Sequence, residues 1–116
     1  MIHALFIAAA FFASLSAHAG TRIIHAAAVE VNGTKFWMPS TIVVKKGDDV
    51  VIQAKSLVPG APGTSVHGFA IEDFNVAEVV DAKGKEIRFK ASKVGIFPIH
   101  CQMHPTHVGG QLVVLE

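Results

Sequence analysis

After residue 20 no stretch of this chain keeps its apolar residues at the helical spacing of 3.6, while several short stretches alternate at a spacing of two and stop at turn-forming residues. That pattern excludes a helical bundle and predicts an all-β domain. Ile23 to Val31 reads as a first strand closed by Asn32-Gly33, Thr41 to Val44 as a second ended by Lys45-Lys46-Gly47-Asp48, and Asp49 to Ser56 as a third. Residues 57–66 hold two prolines and two glycines and read as a loop. His67 to Ile71 follows as a strand. Asp73 to Val80 reads as a short strand or an irregular crossover. Glu86 to Ala91 alternates with one wet face, and Gly95 to Cys101 and Gln111 to Leu115 are the last strands, separated by a loop over 102–110. About eight short strands in roughly a hundred residues predict a two-sheet β-sandwich.

The first twenty residues are of another kind. Only 16 % of the 116 residues are charged and 51 % are hydrophobic, and much of that excess lies in residues 4–13, ALFIAAAFFA. The run is shorter than the ~20 residues that a membrane helix needs, and Ala17-His18-Ala19 ends it with the A-x-A pattern of a cleavage site. Residues 1–19 are therefore expected to be a signal peptide, and residues 20–116 one exported domain, periplasmic or secreted. The alternative is an uncleaved anchor; the segment before Arg22 has no Lys or Arg, but its apolar length argues against anchoring. Ten basic and nine acidic residues give a net charge of +1, with no basic stripe for nucleic acid. Beyond export, no membrane association is expected.

The chain has one cysteine, Cys101, which cannot form an internal disulfide even in an oxidising compartment. Three of the five histidines outside the leader, His100, His104 and His107, crowd around it. Cys101 at a strand end and His104 on the loop beyond can both turn toward one ion, with Pro105 stiffening the loop. A thiolate with imidazoles selects copper or zinc; structural zinc sites usually draw on paired cysteines, so copper is preferred. One loop cannot surround a metal, and His67, entering a strand after the Pro/Gly-rich loop, is the best distant ligand.

His67 opening a strand, then Cys101-Gln102-Met103-His104-Pro105-Thr106-His107, Gly109-Gly110 and a final strand resemble the cupredoxins. The loop has the short amicyanin-type spacing C-x2-H-P-x-M, with His107 where methionine is expected. Val43 to Asp48, Gly68 to Phe74 and Cys101 to Pro105 are also similar to red copper proteins of the nitrosocyanin type. There, glutamate stands where this chain has His67, and the second loop histidine lies further along. The resemblance implies a Greek-key sandwich and one copper ion per chain, cycling between Cu(II) and Cu(I), with His67, Cys101 and His104 as a trigonal set and His107 in the axial place. Many blue copper proteins follow the first histidine with an asparagine that braces the cysteine loop. Here that position is Gly68, so another bond must orient Cys101.

Other residues carry plainer readings. His100 neighbours Cys101 on a strand and should point to the opposite face. His25 has no partner visible in the sequence, and Phe36, Trp37 and Met38 read as core or end packing. The leading functional expectation is single-electron transfer without enzymatic catalysis, in brief encounters with a redox partner protein at the His104 edge, among Met103, Pro105 and Val108. The alternatives are a copper-binding or tolerance protein and a nitrosocyanin-like centre open to a small molecule.

Overall fold

The computed structural model describes residues 19–60, 65–104 and 107–116. The expected leader, apart from Ala19, lies outside the described residues, as do Pro105, Thr106 and residues 61–64 of the expected loop. The described residues form nine strands: β1 (Thr21–Val31), β2 (Thr34–Met38), β3 (Thr41–Lys45), β4 (Asp49–Ser56), β5 (His67–Ile71), β6 (Val76–Val80), β7 (Lys85–Lys90), β8 (Gly95–Ile99) and β9 (Gly110–Leu115). A single 3-10 turn over Glu72–Phe74 is the one helical element among the described residues. No helix among them is long and apolar enough to cross a membrane.

The all-β expectation holds, with one strand more than the eight expected. The addition is β2, which pairs antiparallel with β1 through a tight turn where Asn32 and Gly33 take φ of 49° and 78°. Positive φ at two successive residues suits an Asn-Gly hairpin. The ambiguous stretch after Ile71 resolves into the 3-10 turn and β6, with Asn75 in a left-handed conformation between them.

One layer is the sheet β2-β1-β4-β7; the other is built from β3-β9-β8 and the β5-β6 hairpin. A bridge between Ala70 and His100 ties the hairpin to the end of β8, with amide-to-carbonyl distances of 2.9 and 3.0 Å. Period-two patterning sends Val50, Ile52 and Ala54 of β4 inward against Ile42, Val44, Leu112 and Val114 of the facing layer. Phe69, Ile52, Ile71 and Leu112 are fully buried, each contributing roughly 1.5–3 kcal/mol of transfer free energy. Strand β5 is buried at all five positions. Its inward residues, His67, Phe69 and Ile71, carry the core into the site.

Candidate metal centre

The Ala70–His100 bridge sets the geometry of the site. Continued by one and two residues, its antiparallel register puts Cys101 across from Phe69 and Gln102 across from Gly68. Cys101, on the same face as His67, therefore turns toward the core, where it is 5 % exposed and unpaired. His100 takes the other face, its Nε2 3.6 Å from Glu72 Oε1. The loop then coils in steps of three: the His104 amide donates to the Cys101 carbonyl at 3.2 Å, and the His107 amide to the His104 carbonyl at 3.0 Å. The next residue is anchored to β2, its Val108 amide donating to the Lys35 carbonyl at 3.3 Å.

These turns bring His67, Cys101 and His107 together with one donor atom from each within 4.8 Å of the others. His107 stacks between two rings, 4.4 Å from the His67 centroid and 4.5 Å from that of His104. His104 reaches the thiol from another side, with Nδ1 3.6 Å from Cys101 Sγ, and is itself exposed. The residues singled out in the sequence thus form one cluster, with His107 in the convergent triple and His104 at the edge on the thiol.

Both ring nitrogens of His67 and Nδ1 of His107 are buried without a hydrogen-bond partner among the described residues. Buried polar atoms left unpaired cost about 1–3 kcal/mol each, so a ligand is the natural occupant of the space they face. Burial, then the neighbouring His107 and His104 rings, then Lys35, push His67 down to about 4 from its ordinary 6.5. Burial, followed by His104 and Lys35, also lowers His107. Both imidazoles are therefore neutral near pH 7, the form that binds metal. One sulfur and two neutral imidazoles form a soft, mixed donor set, and the site is compatible with one copper ion.

The bond that orients Cys101 comes from Gly68 itself, whose backbone amide donates to Sγ at 3.1 Å. The carbonyl of Gly68 accepts from Trp37 Nε1 at 2.8 Å in the buried interior. Trp37 also meets the His67 ring edge-on, with centroids 5.8 Å apart, and Phe69 at 5.2 Å. Trp37 is thus core, as expected, and a support of the site as well. A Cβ at position 68 would collide with the Gln102 side-chain oxygen and stand 2.8 Å from its Cδ and 3.0 Å from its backbone nitrogen. Gln102 lies over the glycine and donates from Nε2 to the Glu78 carbonyl at 3.1 Å, fastening the start of the ligand loop to β6.

Residues 3–114 match the cupredoxin-like domain family, and the chain belongs to it. No curated protein sequence matches the chain. Its structure is similar to a purple cupredoxin from Nitrosopumilus maritimus, at 17 % identity over 78 % of this chain and 98 % of that one, with a TM-score of 0.56. It is also similar to the metal binding domain of the Cu(I) exporting P-type ATPase CopA of Streptococcus pneumoniae, at 19 % identity over 82 % and 97 %, TM-score 0.58. A third similarity is to copper nitrite reductase from Nitrosomonas europaea, at 19 % identity over 82 % of this chain, TM-score 0.62. The chain spans 41 % of that reductase and 63 % of a heme-copper terminal oxidase chain that it also resembles. At these identities the likeness is one of fold.

Proposed function

We propose that the protein is an exported copper protein that carries single electrons, with one ion per chain held by His67, Cys101 and His104 and by His107 as the fourth donor. The observation that carries this reading is the convergence of one buried sulfur and two unpartnered imidazoles within 4.8 Å. Bound copper supplies the one-electron couple between Cu(II) and Cu(I). The chain supplies rigidity: His67 is fixed on β5 against Trp37, Cys101 follows the bridge to β5, and the Gly68 amide holds the sulfur. A frame set by two packed sheets leaves the donors little to rearrange when the ion changes charge.

The exposed His104 is the route for electrons, beside Met103 at 42 % and Val108 at 54 % exposure. Such a small apolar surround suits brief docking of a redox partner. The reading is of an electron carrier, not an enzyme. Residues 1–19 act as a cleaved leader that delivers residues 20–116 to the periplasm or outside the cell.

Visible and EPR spectroscopy with voltammetry of the copper-loaded protein tests the reading. A sulfur-to-copper absorption band and reversible one-electron cycling are expected. Copper that binds without the band, or that leaves on reduction, would contradict it.

A copper-binding or tolerance role is favoured by one further observation. His25 is exposed on β1, and Met38, 55 % exposed, belongs to the neighbouring strand, where it pairs with Ala27 two residues along. Both are donors that copper accepts. More than one ion bound per chain would favour that role.

A further inference from the structure

We propose that Asp48 is the receptor for a free α-amino group on Gly20, so that hydrolysis of the Ala19–Gly20 bond completes an ion pair at the start of β1. The inference rests on the reading of residues 1–19 as a cleaved leader.

Asp48 is the one buried acid among the described residues, at 5 % exposure. Its Oδ2 accepts the Lys45 amide at 2.9 Å and its Oδ1 the Gly20 nitrogen at 3.1 Å. Its own backbone is pinned, with its amide donating to the Lys45 carbonyl at 3.0 Å and its carbonyl accepting from Ala91 at 2.9 Å. Among the described residues its carboxylate makes no ion pair with a side chain, whereas the adjacent Asp49 pairs with Lys90 at 3.3 Å. The Lys45 and Gly20 amides hold the carboxylate below its ordinary range, but neither carries a formal charge, so an ammonium at the Gly20 position would be the cationic group in direct contact with it.

Gly20 is held to the same spot from its other end. Its carbonyl accepts the Asp49 amide at 2.9 Å, and Thr21 then pairs with Asp49 as β1 runs parallel to β4. The nitrogen is therefore fixed at Oδ1 by strand register. Cleavage adds water across the Ala19–Gly20 amide: the hydroxyl goes to the Ala19 carbonyl carbon and a proton to the Gly20 nitrogen. At neutral pH the products are an Ala19 carboxylate, which departs with the leader, and a Gly20 ammonium. The bond to Oδ1 changes from a neutral amide contact into a charge-assisted one, which is shorter and stronger. Cleavage one or two residues earlier would leave Gly20 an amide and form no such pair. The other charges near the carboxylate, Arg22 on β1 and Lys45 on β3, are present before and after cleavage.

The test uses protein exported from the full-length precursor, and from a precursor with one alanine inserted after Ala19 whose product carries one residue before Gly20. Mass spectrometry establishes each terminus and thermal unfolding of the metal-free forms gives each midpoint. The chain beginning at Gly20 should melt several degrees higher, and the difference should vanish when both carry Asp48→Asn. If Asp48→Asn does not fold, the Gly20 α-amino pKa decides: it should lie above the ordinary range of about 7.7–8.0. A native terminus elsewhere would overturn both the leader boundary and the receptor. A terminus at Gly20 with equal midpoints, or with an ordinary α-amino pKa, would overturn the receptor alone.

Discussion

The backbone amide of Gly68 donates to the sulfur of Cys101 at 3.1 Å, across 33 residues of sequence. A hydrogen bond to a thiolate withdraws charge from the sulfur and so weakens its donation to a bound metal. Cys101 is thereby coupled to whatever holds the Gly68 peptide in place. Two side chains do so, Trp37 on its carbonyl and Gln102 across its face.

Trp37→Phe keeps a ring near His67 and Phe69 but removes the donor to the Gly68 carbonyl. The buried carbonyl is left unpaired, and the metal-free protein should lose about 1–3 kcal/mol in urea denaturation. In the copper-loaded protein the slackened Gly68 amide should let the sulfur donate more, favouring Cu(II), so voltammetry should read a lower potential. An unchanged potential would separate Trp37 from the metal centre.

Gly68→Ala should hasten copper loss to a chelator, because the new methyl group meets both the side chain and the backbone of Gln102. Adding Gln102→Ala removes the side-chain collision but not the approach of the Gln102 nitrogen, 3.0 Å from the added Cβ. The double variant should recover part of the retention. Strictly additive losses would show that the two residues do not interlock.

Acid should destabilise the metal-free protein over a definite range. His67 is held at about 4 in the folded state against 6.5 as its reference value, so on acidification the unfolded chain takes up the proton first. Stability is therefore full above about pH 7 and declines as pH falls from about 6.5 toward 4, with the lowered His107 acting in the same direction. Urea midpoints measured across this range should show the decline, and His67→Gln should flatten it. A wild-type midpoint that stays level between pH 7 and 4.5 would contradict this origin.

Much of this architecture is legible in the sequence, and the gaps have physical causes. Strands β4 and β5 stand at the bounds their alternation and flanking turn residues predict. Strand β2 is not marked by alternation, because Phe36-Trp37-Met38 has no polar member to mark a face; its signal is the Asn-Gly turn before it, which pairs it with β1. The C-x2-H spacing marks the metal cluster because successive three-residue turns place Cys101, His104 and His107 on one side. Hidden from sequence are the contacts of Gly68 with Trp37, 31 residues away, and with Gln102, since they depend on the register between β5 and the end of β8.

His107 belongs to the convergent triple, so replacing it should alter the metal's spectrum as well as its affinity. Imidazole donates more strongly than a thioether and favours Cu(II). The wild-type protein should therefore be green or red, and His107→Met should shift it toward blue and raise its potential. A spectrum and potential unaffected by His107→Met would make His107 a bystander on the loop.

In the proposed function Cys101 is a ligand to copper, and a copper titration followed by visible absorption in the wild-type protein and in Cys101→Ser, where a hydroxyl replaces the sulfur, decides whether it is. The wild-type protein should develop an intense sulfur-to-copper band that saturates at one ion per chain, and Cys101→Ser should show none. A band that persists in Cys101→Ser, or copper bound by the wild-type protein without one, would contradict that role.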